Sequence, residues 1–450
     1  MIVMKFGGTS VGSAERIMSV AQVVKANLNR SPIVVVSAHS RVTDMLIALA
    51  KRAVKGQPEI DEVRERHIRI IADLGLRPAL IEKQLTELEV LVKGISLVKE
   101  LTPRTLDYVL SFGERMSVRT VAAAFEKAGI ASTPVDAFDL GMITDSNFGS
   151  AVPLAEADNI IAWNVKRFEK LPVVTGYIGK NKDGDITTLG RNGSDYTAAI
   201  LGAAVGAEEI QIWSDVDGIC SADPTVVRGA HSIDEMSFDE ASELAYYGGR
   251  IHPASLVPAV KKDIPIRLKN TYKPENPGTL IRRKAPLKGI VKSVVYKEDL
   301  FMINLISTRM LLHHGFMSKI FEVFGKYGIV IDMIATSEVS VSLTVDSDRN
   351  LDPAIRELSD IADVQVEGGK AIICIVGEGI RNEIGVPGQV FTAMREAGIR
   401  VQMISQSALN INIAFLVNND QLSLAVNALH DTFFGKKAEE AGVAAGAART

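Results

Sequence analysis

The run Lys5-Phe6-Gly7-Gly8-Thr9-Ser10 places a cation at the end of an apolar stretch and follows it with two glycines and two hydroxyls. A strand that ends in such a turn, just before a helix N-terminus, presents bare backbone N–H groups and an ammonium to an anion. The spacing fits neither the Walker A pattern nor the dinucleotide fingerprint, so the run read alone is as much a change of chain direction as a phosphate cradle. A second turn, Thr187-Thr188-Leu189-Gly190-Arg191-Asn192-Gly193-Ser194-Asp195-Tyr196-Thr197, also opens a helical pattern and gathers hydroxyls, a guanidinium and a carboxylate. Ser194 or Asp195 as a helix N-cap accounts for two of those residues and leaves Arg191 without a role. Two such turns in one chain are far more specific than either.

The turns need a scaffold, and the pattern around them supplies one. Between residue 2 and about residue 280, short β-branched runs (2–6, 32–37, 172–178, 209–214, 265–269) alternate with amphipathic stretches (14–27, 43–54, 80–100, 113–128). That alternation predicts an α/β domain, a mainly parallel sheet covered by helices on both faces. A break near Pro277-Gly278, followed by Arg282-Arg283-Lys284 and Pro286, reads as a solvated linker and puts a domain boundary at about residue 286. With 50 basic against 54 acidic residues, the chain lacks the basic excess of a nucleic-acid surface. No apolar stretch reaches the ~20 residues of a membrane helix. The N-terminus shows no signal-peptide pattern, and Cys220 and Cys374 are far apart without metal-ligand spacing. A cytoplasmic protein with no nucleic-acid or membrane partner is expected.

Beyond the boundary the sequence repeats itself. Phe321, Gly328, Met333-Ile334 and Ser337 recur as Phe391, Gly398, Met403-Ile404 and Ser407 at a constant offset (391 − 321 = 70). In each copy a helix (315–327, 388–397) leads through a glycine to a strand (329–334, 399–404), a turn and a second strand (339–346, 409–417). This pattern predicts two ferredoxin-like βαββαβ modules, spanning 299–365 and 287–298 with 366–436, ahead of a flexible tail at 437–450. Their sheets and helix faces must bury against each other or a second subunit, so a homodimer or homotetramer is expected.

With both turns, Ser111-Phe112-Gly113-Glu114-Arg115, Ile143-Thr144-Asp145, Thr175-Gly176 and Trp213-Ser214-Asp215-Val216-Asp217-Gly218 in this order, the chain from Met1 to about Leu429 resembles the aspartate kinases of the amino acid kinase family. The tandem modules look like the ACT domains of the same family. The resemblance implies transfer of the γ-phosphoryl group of ATP to L-aspartate, the first step toward lysine, threonine and methionine. It places Lys5 and Asp195 at the transferring phosphoryl group and assigns Lys5, Gly7, Gly8, Ser214, Asp215 and Arg250 to the nucleotide. Ser37, Thr43, Glu114, Arg191, Asn192, Gly193 and Ser194 fall to aspartate. Glu114 suits an α-ammonium and Arg191 a carboxylate. The attacking carboxylate is already ionised, so Asp195 orients Lys5 or the metal rather than removing a proton. Magnesium binds chiefly through the nucleotide phosphates, without a protein metal site.

Departures from the family pattern fall on the nucleotide side: Cys220 and Thr225 stand where an aromatic and a cation are usual, and Arg250 replaces a lysine in a motif one residue short before His252. Arg41 stands where a small residue is common near the acceptor. In the first repeat, Met310, Gly315, Phe316, Met317, Asp332, Thr336, Ser337 and Glu338 resemble the effector site of lysine-sensitive members, which implies inhibition by L-lysine. Two rivals remain, a same-fold kinase for another small acid and an amino-acid-sensing pseudokinase.

Overall fold

The computed structural model describes residues 1–247, 251–287, 289–307, 315–346, 349–407 and 411–435. The chain divides into two units, the first comprising 1–219, 234–238 and 250–285, the second 220–233, 239–249 and 286–450. Arg250, Met310 and the tail at 437–450 lie outside the described residues. No helix among them is long and apolar enough to cross a membrane.

The first unit contains strands β1 (Ile2–Phe6), β2 (Pro32–Val36), β3 (Ser132–Val135), β4 (Leu171–Thr175), β5 (Ile178–Lys180), β6 (Ile186–Thr188), β7 (Glu209–Ser214), β8 (Glu235–Ser237), β9 (Ile266–Asn270) and β10 (Thr279–Arg282). Eight of them form one sheet in the order β3-β4-β2-β1-β7-β9-β10-β8, parallel except where β9 meets β10, and β5 pairs with β6 as a separate hairpin. The central strands β1 and β2 are buried along their whole length, as strands covered on both faces must be. Helices α1 (Ala14–Lys25), α2 (Val42–Val54), α3 (Asp61–Asp73), α4 (Glu82–Val98), α5 (Pro103–Lys127), α6 (Ala137–Leu140), α7 (Ala157–Val165), α8 (Gly193–Val205) and α10 (Pro253–Lys262) complete this unit, whereas α9 (Phe238–Tyr246) belongs, after its first residue, to the second.

Helix α5 starts at Pro103, ten residues before the start expected at 113, capped by Thr102 accepting from Thr105 N at 3.1 Å. Gly113 does not interrupt it. A Cβ there would stand 2.9 Å from Ala38 Cβ, so glycine lets the loop after β2 nest against the helix. The strand expected over 172–178 instead ends at Thr175. Tyr177, at φ +69°, turns the chain into the β5–β6 hairpin and donates its N–H to Thr197 Oγ1 at 3.0 Å.

In the second unit, β11 (Ser293–Ile306), β12 (Ile331–Thr336), β13 (Ser340–Val345), β14 (Asp363–Val376), β15 (Met403–Ser405) and β16 (Asn412–Asn418) form an antiparallel sheet in the order β12-β13-β11-β14-β16-β15. Helices α11 (Phe316–Lys326), α12 (Leu351–Leu358), α13 (Val386–Glu396) and α14 (Leu422–Phe434) divide between two cores, one around Ile320, Phe324 and Leu343, the other around Val390, Phe415 and Leu429. The repeat read from the sequence is therefore two modules sharing the long central pair β11 and β14. Segment 220–233 also belongs here: Ala222 and Val227 enter the second core, and Ser221 Oγ lies 2.9 Å from His430 Nε2.

Candidate active site

Strand alternation decides where Lys5 points. Ile2, Met4 and Phe6 enter the core with α1 and α5, so Lys5 projects from the other face of β1. There its Nζ lies 2.5 Å from Asp195 Oδ1, with the two side chains only 11% and 9% exposed. Charges so enclosed require each other. Asp195 sits in the first turn of α8, but the N-cap is Asn192, at φ +55° and with no side-chain cap bond. Neither Ser194 nor Asp195 caps the helix, and the carboxylate answers Lys5 instead.

Helix α5 brings Glu114 to the same place. The residue is 3% exposed, and its Oε1 accepts Ala38 N–H at 3.1 Å, while Ser117 Oγ donates to Ser37 O at 2.8 Å. Oε2 is buried and has no hydrogen-bond partner among the described residues. Burial pushes the Glu114 carboxyl up to about 8, against the pull of the Ala38 N–H and the Lys5 charge. Arg115 does not pair with it, forming instead an ion pair with Glu87 at 2.9 Å.

Lys5, Ser37, Thr43, Glu114 and the run Arg191, Asn192, Gly193, Ser194, Asp195 line one cleft of about 370 Å³, together with Gly149, Tyr177 and Gly190. The structure thus gathers residues far apart in the chain. Gly149 and Tyr177 were not picked out from the sequence; a bulky residue held at positive φ shows only in three dimensions. Of the residues read as nucleotide-binding, Ser214 ends β7, the strand next to β1, and Asp215 follows it in a turn; neither lines the cleft. Gly7 N donates to Trp213 O at 3.2 Å, which ties the glycine turn to that strand end. Gly8 has a packing reason as well, since a Cβ there would stand 2.8 Å from Ala38 O. Arg41 is exposed at the start of α2 and lies outside the cleft lining.

Behind the two loops, His39 and His67 are both buried, with ring centroids 5.4 Å apart. Each Nδ1 faces a backbone carbonyl, Val11 O at 2.6 Å and Val63 O at 2.7 Å, so Nδ1 carries a proton in both rings. Burial lowers His39 to about 3 and His67 to about 4, helped by the nearby Arg66 charge. The unfolded chain takes up these protons first, near pH 6.5, so the stability they confer is complete above that pH and drains as pH falls toward 4 and then 3. For His67 alone the loss is about 3 kcal/mol by pH 4. Urea midpoints measured from pH 7 to 4.5 are expected to fall in wild type and to fall distinctly less in His67→Asn.

The effector-like residues of the second unit divide. Gly315, Thr336, Ser337 and Glu338 are exposed, Phe316 is buried and Met317 half-buried. Asp332 is already engaged. Its Oδ1 takes the Lys297 ammonium at 2.7 Å and the Tyr246 hydroxyl at 3.3 Å, while the buried Oδ2 has no hydrogen-bond partner among the described residues.

Residues 1–270 match the amino acid kinase family, and 303–360 with 373–433 match the ACT domain. The chain is 41% identical to aspartokinase 1, chloroplastic, of Arabidopsis thaliana, covering 96% of this chain and 80% of that protein. It is 33% identical to lysine-sensitive aspartokinase 3 of Escherichia coli (strain K12), covering 96% and 99%. Among solved structures, E. coli aspartokinase III in complex with aspartate and ADP, described as the R-state, superposes with a TM-score of 0.84 at 32% identity over 96% of this chain and 100% of that one. The same enzyme in complex with lysine and aspartate, its T-state, gives a TM-score of 0.79 at 32% identity over 96% and 99%.

Proposed function

Because the chain belongs to the amino acid kinase family and acts as an aspartate kinase with C-terminal ACT domains, we propose that its Lys5–Glu114–Arg191 cleft is where the γ-phosphoryl group of ATP passes to the side-chain carboxylate of L-aspartate. The products are ADP and 4-phospho-L-aspartate. The observation that carries this reading is that an ammonium, a buried carboxylate with one open oxygen and a guanidinium, from three separate elements, line the same cavity.

Each group has a task that its chemistry fits. In-line transfer passes through a loose transition state whose charge spreads over the phosphoryl oxygens, so the enzyme mainly positions and neutralises. Lys5 supplies the positive charge, and Asp195 holds its ammonium in place. Glu114 Oε2 receives the α-ammonium of aspartate, and Arg191 takes the α-carboxylate bidentately. Ser37, Thr43, Asn192, Gly193 and Ser194 complete the acceptor side. No general base is required, because the nucleophilic carboxylate is ionised at neutral pH. Gly7, Gly8, Ser214, Asp215 and Arg250 form the nucleotide side. Magnesium, when bound, neutralises phosphate charge; the cleft offers it only Asp195, already paired with Lys5, and Glu114, so the nucleotide phosphates are its main ligands. A coupled ADP-release assay tests the whole reading: turnover should require aspartate, and aspartate-independent or absent ADP release would overturn it.

The same proposal assigns inhibition by L-lysine to the first ACT module of a cytoplasmic homodimer or homotetramer. Oligomerisation through these modules is supported by Phe321, Val330 and Ile404, which are 45%, 64% and 50% exposed. The open Asp332 Oδ2 suits an effector ammonium, with Thr336, Ser337 and Glu338 beside it in sequence. Lys297 already half-neutralises that carboxylate, so Lys297→Met is expected to lower the lysine concentration for half-inhibition several-fold, and Asp332→Ala to raise it at least about tenfold. Dose–response curves in the ADP assay decide it; unchanged inhibition in Asp332→Ala would place the effector elsewhere.

A further inference from the structure

Asp107 lies on α5 seven residues before Glu114, and at 1% exposed it is as enclosed as the apolar core around it. Its carboxylate accepts three hydrogen bonds, none from its own helix. Oδ2 accepts Gly149 N–H at 2.9 Å and Thr188 N–H at 2.8 Å, and Oδ1 accepts the Thr188 hydroxyl at 2.8 Å. Gly149 lines the cleft, and Thr188 ends β6 two residues before Gly190 and three before Arg191, which line it too. The two segments are also joined directly, Ala151 N donating to Thr188 O at 2.9 Å. Burial holds the carboxyl above its ordinary range in spite of these donors. A buried carboxylate is an expensive way to secure a helix that already has an extensive apolar face. What an apolar residue could not do is bind the donors of two separate cleft walls to the helix that carries Glu114.

We infer that Asp107 is a positioning residue for the acceptor, fixing the Gly149 loop and the Gly190–Arg191 turn at a set distance from Glu114 and so matching the cleft to the spacing of the ammonium and carboxylate of aspartate. The inference rests on the assignment of Glu114 and Arg191 to aspartate given above. Because Asp107 meets the acceptor walls and not the glycine turn after β1, its loss acts on aspartate and not on ATP.

Steady-state kinetics of the full chain test this with Asp107→Ala, Asp107→Asn and Thr188→Val. Asp107→Ala strands two backbone N–H groups, and the KM for aspartate should rise at least about tenfold while the KM for ATP stays within about twofold. Asparagine keeps a carbonyl on both N–H groups while the Thr188 hydroxyl rotates to accept from the amide, so Asp107→Asn should recover most of the loss. Thr188→Val removes one bond and should raise the aspartate KM by about threefold, which gives a reading even if Asp107→Ala does not fold. An aspartate KM unchanged in every folded variant, or both KM values rising together, would overturn the inference. Failure of the underlying assignment looks different: wild type itself would then release no ADP on addition of aspartate.

Discussion

Lys5→Met is expected to lower kcat by about 10³-fold or more, with folding retained. Removing a single preorganised donor from a transition state of this kind typically costs 10²–10³. Here the loss is compounded, because Asp195, 9% exposed and 2.5 Å from the missing ammonium, becomes an unpaired carboxylate facing the phosphoryl oxygens. Lys5→Arg should not rescue activity, since a planar fork replaces a point charge in a space shaped by Asp195 and the glycine turn. The double variant Lys5→Met with Asp195→Asn separates the two roles. It should regain melting temperature relative to Lys5→Met, the stranded charge being gone, yet remain inactive. A kcat within tenfold of wild type for Lys5→Met would refute the assignment.

Glu114→Gln is expected to raise the KM for aspartate by about 10²-fold at pH 8 and to flatten its pH dependence. The carboxyl titrates near 8 in the free site because burial outweighs the Ala38 N–H and Lys5. Only the ionised form attracts an α-ammonium, so wild-type KM should fall about tenfold per pH unit as pH rises toward 8 and level off above it. The stability consequence has the opposite direction. A carboxyl with a raised folded-state pKa holds its proton more tightly than the unfolded chain does, so stability declines as pH climbs from about 4.5 to about 8, by about 5 kcal/mol. Glutamine removes that decline, and Glu114→Gln should melt at a higher temperature than wild type at pH 8.5. Equal KM for the two proteins across pH 6 to 8.5 would exclude Glu114 as the ammonium partner.

The altered segment around Cys220 and Thr225 also has a place in the packing of the C-terminal unit. Thr225 donates both N–H and hydroxyl to Asp223 Oδ1, at 2.8 and 2.7 Å, and Tyr296 donates to Asp223 Oδ2 at 3.2 Å. These bonds, with Ala222 and Val227 in the second core, give the segment a packing role within the C-terminal unit. The spacing of motifs along the chain could not show this, because the segment lies between stretches that belong to the first unit.

Local pattern carried much of the fold. The runs at 2–6 and 209–214 are β1 and β7 residue for residue, and the offset of 70 relates Phe316, where α11 begins, to Val386, where α13 begins (386 − 316 = 70). Both rest on periodicity and backbone sterics, which act between neighbours. The start of α5 was missed although Thr102-Pro103 is an N-cap followed by proline at the first helical position. Gly113 lies inside the helix, where the approach of Ala38 accounts for it.

Residue type and order along the chain determined that a cation follows a strand into a glycine turn, that a guanidinium and a carboxylate open a later helix, and that the C-terminal third is built twice. Tertiary structure alone decided that Lys5, Glu114 and Arg191 share one cavity, that Asp195 answers Lys5 rather than capping its helix, and that Glu114 is held near the point of ionisation at neutral to slightly basic pH. The physical reason is that desolvation and charge pairing depend on what surrounds a group in space, and at these positions the surroundings come from segments tens to hundreds of residues apart.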